Sequence, residues 1–164
     1  MTFGSAADPT TQPGDPALRV RASTICGTDI RVLRGRKTAG IRHPSLIGHE
    51  FSGDVVAMGG PSSFRIGARV GVCPAIPCRQ CPQCLRGREN LCPDLQAIGY
   101  EIDGGFAEFI RIPARTVELG NVHLRPGHVS HEAAALIEPL ACVLNGQNKV
   151  GLRQGDPVVC WVRG

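Results

Sequence analysis

Aromatic residues and long apolar runs are scarce in this sequence. Phe, Tyr and Trp make up 4% of its 164 residues, and no apolar run approaches the roughly 18 residues that a membrane-spanning helix needs. The opening segment, MTFGSAADPTTQPGDP, has neither the basic region nor the apolar region of a secretory signal. These absences argue against a membrane partner, and we expect a cytoplasmic protein.

Clustered positive charge is also lacking. The formal net charge of +4 comes almost wholly from arginines, and these are scattered along the chain. No basic run is interleaved with aromatic residues, the pattern that is typical of nucleic-acid binding. We therefore expect no nucleic-acid partner.

Glycine and proline, by contrast, are abundant, with 21 and 13 copies. They divide the chain into short pieces, which favours strands and turns over long helices. Strands are predicted at 17–23, 51–58, 68–73 and 106–112. The sequence thus predicts a mainly β fold, and its 42% hydrophobic and 20% charged residues are those of an ordinary folded protein.

Four of the eight cysteines are closely spaced, in the segment IPCRQCPQCLRGRENLC. They follow a C-x2-C-x2-C-x7-C pattern and are Cys78, Cys81, Cys84 and Cys92. In a reducing compartment such a cluster indicates a metal, and disulfides at this spacing would close small strained rings. Four thiolates suit tetrahedral zinc, and a site filled entirely by protein ligands stabilises without binding substrate. We expect a structural zinc in a loop that contains no helix.

A second set of possible ligands is distributed over the chain. Cys26 lies in ASTICGTD, His49 and Glu50 adjoin in IGHEFSG, and Glu138 lies in AALIEPLACV. Taken singly, Cys26 could be a buried thiol, His49 a turn residue and Glu50 a surface charge. Taken together, they could form an open site with three or four protein ligands and room for water or substrate.

Several motifs in this order resemble one known family. These are CGTD from Cys26, GHEFSG from Gly48, the four-cysteine loop, DGGFAEFIRIPA from Asp103 and EPLACVLNG from Glu138. The chain resembles the zinc-dependent medium-chain alcohol dehydrogenases, in the branch of sorbitol and other polyol dehydrogenases and L-threonine 3-dehydrogenase. The resemblance extends from about residue 14 to the C-terminus.

The resemblance implies roles for individual residues. Cys26, His49 and Glu50 would lie at a catalytic zinc, with Glu50 also counted among the catalytic residues. Glu138 falls where ethanol-oxidising relatives have a cysteine ligand and polyol dehydrogenases have a glutamate. Thr28 matches the hydroxyl that begins the family's proton relay, although it could also cap a helix beginning near Asp29.

Other residues depart from the family's pattern or receive no role. Arg31 stands where many relatives have a histidine in the proton path, and a permanently charged arginine could instead bind an acidic substrate. Cys142 is a rival zinc ligand that we expect to pack in the core, as we expect of Cys73 and Cys160. The four remaining histidines receive no role, and they are His43, His123, His128 and His131.

The resemblance also implies the domain organisation. Residues 1–130 would form a GroES-like, partly open and mostly antiparallel barrel, with a shortened N-terminal strand pair. Residues 131–164 would begin a truncated nucleotide-binding Rossmann domain, with a helix capped by Ser130 and a strand in QGDPVVCWVRG. Val162 and Gly164 stand at the first two glycine places of the phosphate-binding turn. Apolar surface on this segment should lack cover.

The expected function is that of a dehydrogenase that oxidises a secondary alcohol of a polyol, sugar acid or L-threonine-like substrate. Two zinc ions per chain are implied, one catalytic and one structural, with NAD or NADP and a homo-oligomeric state in the complete protein. The 164-residue chain alone is expected to be inactive because it lacks the cofactor domain. The alternative is a non-catalytic zinc-stabilised interaction module, which would hold a single tightly bound zinc.

Overall fold

The fold is described by a computed structural model for residues 4–61 and 63–161. The strands are β1 Pro16–Thr24, β2 Glu50–Met58, β3 Arg69–Val72, β4 Ala75–Ile76, β5 Gln96–Ala97, β6 Phe109–Arg111 and β7 Val122–Leu124. The helices are α1 Gly27–Leu33, α2 Pro82–Leu85, α3 Ala114–Glu118, α4 His131–Ala135 and α5 Ile137–Val150, with a 3-10 helix at Glu89–Leu91. Within the described ranges, none of the helices has the length and apolar character that a membrane span requires.

Five strands form one antiparallel sheet in the order β6-β1-β2-β3-β7, and β4 pairs with β5 in a separate ribbon. The predicted mainly β, mostly antiparallel fold is confirmed. The strand predicted at 106–112 is shorter than expected, because the backbone amides of 104–106 donate to the carbonyls of 46–48 instead of to a sheet neighbour. The short strand β7 was not predicted.

The pairing of β1 with β2 organises the sheet. It runs from Pro16 opposite Met58 to Thr24 opposite Glu50, with two irregularities along its length. Side chains alternate between the two faces of a strand, and Phe51 and Val55 of β2 enter the core, each 1% exposed. The start of β2 is buried on its other face as well, because α4 packs across β1, β2 and β3.

One apolar core lies on the inner face of this sheet. Its members share near-complete burial, and they are Leu18, Phe51, Val55, Ala68, Val70, Val72, Ile76, Ile98, Ile110, Ile112, Leu119 and Val122. Each large aliphatic or aromatic side chain buried in this way contributes about 1.5–3 kcal/mol. The core draws on strands from residue 18 to residue 122, so it holds the two candidate ligand segments in one framework.

The helical segment after residue 130 begins where predicted but is not one helix. The Ser130 hydroxyl accepts a hydrogen bond from the Ala133 amide at 3.2 Å, which caps α4. The helix stops at Ala135, and α5 begins at Ile137. Pro139 explains the interruption, because its ring would clash with the Ala135 carbonyl in a continuous helix and it lacks an amide proton.

The predicted Rossmann strand does not form in residues 154–161, which have no regular secondary structure. A strand needs a neighbouring backbone to accept its hydrogen bonds, and this segment is exposed, with Val159 and Trp161 each 90% accessible. The prediction that Cys160 packs in the core is wrong for the same reason. The expected uncovered apolar surface is confirmed, while the predictions for Val162 and Gly164 lie outside the described residues.

Candidate metal centres

The four closely spaced cysteines converge on one point. The Sγ atoms of Cys78, Cys81, Cys84 and Cys92 all lie within 4.8 Å of one another, and those of Cys78 and Cys84 are 4.0 Å apart. A tetrahedral zinc with bonds of about 2.3 Å separates its sulfur ligands by about 3.8 Å. The donor set and the spacing therefore fit a zinc ion.

Local backbone structure orients these thiols. The Cys81 amide donates to Cys78 Sγ at 3.3 Å, the Cys84 amide to Cys81 Sγ at 3.4 Å and the Cys78 amide to Cys92 Sγ at 3.4 Å. Cys81 caps α2, whose first residue is Pro82, a residue favoured at that position. The expectation of a loop without helix is therefore wrong over residues 82–85, because the capping cysteine and this proline begin a helical turn.

The same contacts make the thiols unequal. Hydrogen bonds from the backbone of Gln80 and Cys81 lower the pKa of Cys78 to about 7. Burial raises the pKa of Cys84 to about 12. Of these two thiols, Cys78 more readily becomes the thiolate that a metal binds.

Cys26, His49 and Glu50 form the second group. One ligand atom from each lies within 4.8 Å of the others. His49 is 4% exposed, Glu50 is 5% exposed and Cys26 is half-buried. Sulfur, nitrogen and oxygen donors in this number match a zinc site with three protein ligands and one open position.

The start of α1 places Cys26. Cys26 is the N-cap, and its backbone amide donates to the Asp29 carboxylate at 2.8 Å while its sulfur accepts from the Thr28 amide at 3.5 Å. This is a capping-box arrangement in which the thiol replaces the usual hydroxyl. The helix begins at Gly27, so the alternative role of Thr28 as its capping hydroxyl is wrong.

Gly48 sets the position of His49. Its φ of +98° lies in the left-handed region that favours glycine, and a Cβ there would come within 2.6 Å of the Phe106 ring. A larger residue would have to move either the ring or the turn. Glycine therefore lets the chain turn so that His49 and Glu50 reach Cys26.

Asp29 lies behind His49. Its Oδ1 atom is 3.4 Å from His49 Nδ1, and both side chains are buried. Burial by itself would lower the pKa of His49, but the nearby carboxylate of Asp29, aided by Cys26, raises it to about 9. A carboxylate behind one ring nitrogen is the usual way to leave the other nitrogen free for a metal. Sequence reasoning missed this role, although the C-x2-D spacing of a capping box was a usable signal.

Glu50 is held by the β1–β2 register. Thr24 lies directly opposite Glu50, and its hydroxyl donates to Glu50 Oε2. The Ser23 hydroxyl donates to the Glu50 main-chain carbonyl at 3.0 Å. No sequence signal identified Thr24, because its role depends on a strand register that spacing does not reveal.

Tyr100 forms one wall of this centre. Its ring stacks on His49 with centroids 5.1 Å apart and an interplanar angle of 29°. Burial raises the pKa of Tyr100 to about 12, against the opposing effect of Thr28. The phenol therefore stays neutral beside the imidazole. Sequence reasoning missed Tyr100, which has no motif around it.

Glu138 lies outside the compact group in the structure. It is in the first turn of α5, and its Oε1 atom is 3.5 Å from Cys142 Sγ. Its role as a fourth ligand stays a prediction. The expectation that Cys142 packs in the core is wrong, since this cysteine is exposed on a helix that only partly contacts the sheet. Cys73 is half-buried, and burial raises the pKa of its thiol.

His131 was left without a role, and the structure gives it partners. Its Nε2 atom lies 3.3 Å from Asp54 Oδ1, and its Nδ1 atom lies 3.2 Å from Ser52 Oγ. The Ser52 hydroxyl also donates to the His131 carbonyl at 2.7 Å. These contacts attach α4 to β2.

The sheet, the four-thiol loop and the three-ligand centre together define a β domain with two candidate metal centres. Residues 12–121 match the alcohol dehydrogenase GroES-like domain. The chain belongs to this family, and the resemblance to zinc-dependent medium-chain alcohol dehydrogenases is confirmed.

Individual relatives agree with this assignment. Over 147 residues, or 89% of the chain, it is 42% identical to D-altritol 5-dehydrogenase of Agrobacterium fabrum. Over 150 residues, or 90% of the chain, it is 33% identical to L-galactonate-5-dehydrogenase of Escherichia coli. The solved structure of a Sinorhizobium meliloti dehydrogenase bound to NADP superposes with a TM-score of 0.78 at 39% identity, covering 88% of this chain and 40% of that one. The chain spans 42% of the length of each of the two curated relatives.

Proposed function

We propose that this chain is the zinc-binding catalytic domain of an NAD- or NADP-dependent dehydrogenase. Its substrate would be a secondary alcohol of a polyol, sugar acid or L-threonine-like molecule. The observation that carries the proposal is the convergence of Cys26, His49 and Glu50 within 4.8 Å, next to a pocket lined by Thr28 and Tyr100. A structural role alone would not require a second centre with an open position.

Zinc bound at this centre would act as a Lewis acid that lowers the pKa of a coordinated alcohol. Cys26, His49 and Glu50 would hold it, with Glu138 as a further ligand. Asp29 keeps the His49 ring oriented, and Thr24 keeps the Glu50 carboxylate from rotating. The chain thus contributes ligand side chains that are already oriented before zinc binds.

Thr28 is suited to take the alcohol's proton. It lines the pocket next to the centre, together with Tyr100, and follows Cys26 by two residues. In the overall reaction the alcohol carbon loses a hydride to the nicotinamide ring and the hydroxyl loses a proton, giving a ketone. Arg31, also at the cavity, cannot relay that proton because it stays charged.

The relatives support this choice of substrate. The names of D-altritol 5-dehydrogenase and L-galactonate-5-dehydrogenase specify oxidation of a polyol and of a sugar acid at carbon 5. The NADP bound to the Sinorhizobium structure supports a nicotinamide cofactor. A homo-oligomeric state and a cytoplasmic location complete the proposal for the whole protein.

Counting zinc in single cysteine variants tests the proposal. The wild-type chain should hold two zinc ions. Cys26→Ser should keep only the zinc at the four-cysteine loop, and Cys81→Ser should keep only the zinc at the three-ligand centre. Cys81→Ser should also lower the melting temperature by several degrees or more, because structural zinc contributes folding free energy directly. Metal content by mass spectrometry under native conditions, with calorimetric melting, measures both effects.

Cys160→Ser is the matched control, since this exposed cysteine belongs to neither group. It should retain two zinc ions and the wild-type melting temperature. A wild-type chain holding one tightly bound zinc, unaffected by Cys26→Ser, would instead support the non-catalytic interaction module.

A further inference from the structure

A positively charged pocket lies beside the three-ligand centre. It is an open depression of about 540 Å³ whose lining includes Thr28, Arg31, Arg36, Lys37 and Tyr100, and both arginines are exposed. Three of these side chains are cationic, and none of the lining residues is acidic. A pocket for a neutral alcohol alone would need hydroxyl and amide groups rather than this excess of positive charge.

The two arginines of this pocket have no counterion in the described part of the chain. Neither Arg31 nor Arg36 forms an ion pair there, whereas Arg42, a few residues further on, pairs with Asp103 at 2.5 Å. The ammonium of Lys37 lies 5.1 Å from the centroid of the Tyr100 ring and donates to the Ala39 carbonyl at 3.2 Å. The pocket therefore presents positive charge that no described carboxylate neutralises.

The backbone holds these cations in one place. The Arg31 carbonyl accepts hydrogen bonds from the amides of Arg36 and Lys37, at 2.8 and 3.2 Å. The segment after α1 therefore folds back over the end of the helix. Arg31 on the helix and Arg36 beyond it consequently line the same cavity, although five positions separate them.

The pocket adjoins the proposed catalytic centre. Tyr100 lines it and also stacks on His49. Thr28 lines it and follows Cys26 by two residues. One small molecule could therefore place a hydroxyl at the centre and another group among the cations.

We propose that this pocket binds an anionic group, a carboxylate or a phosphate, carried by the alcohol substrate. The inference rests on the proposed function, since the substrate hydroxyl would lie at Cys26, His49 and Glu50. Guanidinium groups bind carboxylates and phosphates through paired, charge-assisted hydrogen bonds, and they remain charged at any working pH. Arg31 and Arg36 would make these contacts, with Lys37 adding a point charge beside the Tyr100 ring. The substrate class is thus a sugar acid or a polyol phosphate.

Three ligands that share one carbon skeleton test this inference. Galactitol is neutral, galactonate carries a carboxylate and galactitol 1-phosphate carries a phosphate. Their dissociation constants for the zinc-loaded chain should be measured by calorimetry or NMR titration at low ionic strength, where exposed charges are least screened. At least one anionic ligand should bind about tenfold more tightly than galactitol, and the stronger of the two identifies the group.

Arg31→Gln and Arg36→Gln should each remove most of that preference while leaving galactitol binding and zinc content unchanged. Arg34→Gln is the matched control, because Arg34 lies between them in sequence, is exposed and does not line the pocket. It removes the same charge and should retain the preference. Equal loss in all three variants would show general attraction by net charge and would overturn the inference.

Three further results would also decide the question. Equal affinity for the three ligands in a chain that holds two zinc ions would overturn the anionic pocket and leave the proposed function standing. Inorganic phosphate binding as tightly as galactitol 1-phosphate would likewise overturn it, because the polyol would then contribute nothing. Retained anion preference in a chain with a single zinc would contradict the proposed function while supporting the pocket.

Discussion

At the scale of single residues, Asp29 connects folding to the candidate catalytic centre. One carboxylate oxygen accepts the Cys26 amide at 2.8 Å and the other lies 3.4 Å from His49 Nδ1. The carboxylate that caps α1 therefore also orients a proposed metal ligand. A change at this position should affect metal binding before it affects the fold.

Replacing Asp29 by Asn keeps the shape and an acceptor oxygen but removes the charge behind His49. We expect zinc affinity at the centre to fall about 10- to 100-fold, the usual cost of losing such a partner. The zinc affinity of the four-cysteine loop should be unchanged. Competition with a chromogenic chelator would resolve the two sites as separate binding steps.

Asp94→Asn is the control for this experiment, since Asp94 is an exposed carboxylate outside both ligand groups. This variant should bind zinc at both sites with wild-type affinity. Equal zinc affinity in Asp29→Asn and wild type would show that the carboxylate does not support His49.

At the scale of elements, a polar contact attaches α4 to the sheet. His131 contacts Ser52 and Asp54 of β2, and Arg21 of β1 donates to Asp54 at 2.7 Å. The contact is mostly shielded, with His131 and Asp54 each 20% exposed. The docking of this helix therefore depends on the charge state of one histidine.

The pKa of His131 is lowered, first by burial and then by the positive charges of Arg125, Arg21 and Arg69, against the opposing charge of Asp54. The unfolded chain, with a histidine pKa near 6.5, then binds the proton more readily than the folded chain. The lowered pKa of His131 consequently does not reduce the free energy of unfolding above about pH 6.5. As the pH falls below that value, the free energy of unfolding decreases. His131→Gln should lose less stability than wild type between pH 7.5 and pH 5.5.

Urea unfolding in excess zinc at both pH values measures this difference. His123→Gln provides the control, because His123 is an exposed histidine on the edge strand β7. That variant should follow the wild-type pH dependence. The same pH dependence for His131→Gln and wild type would contradict the assignment to His131.

At the scale of the whole molecule, the C-terminal segment differs from the rest. Helix α5 has no buried residue, and Leu140, Val143 and Leu144 are each about half exposed. No strand forms between 151 and 161. An apolar helix of this kind is stabilised by burying its face against another element, and the rest of the described chain does not supply one.

This arrangement leads to a prediction for the 164-residue polypeptide expressed by itself. Hydride transfer needs an acceptor held about 3–3.5 Å from the alcohol carbon, and dinucleotides are usually held at a strand-to-helix turn whose amides face the phosphates. We expect zinc binding but no reduction of NAD or NADP with polyols, sugar acids or L-threonine. Absorbance of the reduced cofactor, compared with Cys26→Ser, measures this. A turnover rate above that of Cys26→Ser would contradict the prediction. It would show that this polypeptide, alone or self-associated, has a working cofactor site.

Local pattern and spacing were enough to predict much of the molecule. The short segments between glycines and prolines predicted β1 and β2, and Ser130 predicted the start of α4. The C-x2-C-x2-C-x7-C spacing brought four thiols together as expected, and Cys26, His49 and Glu50 were anticipated from their residue types and from family resemblance. Each of these features depends on neighbours within a few residues or on a motif, so the sequence alone could specify them.

Tertiary structure decided the features that depend on distant partners. Thr24 supports Glu50 only because the strand register places them opposite each other, and Tyr100 reaches His49 only after the chain has folded back. Cys142 and Cys160 are exposed because burial of an apolar residue requires a covering element. Sequence determines which residues can act as ligands, caps and core. Only long-range packing determines which of them meet, because contacts between segments many residues apart leave no local pattern.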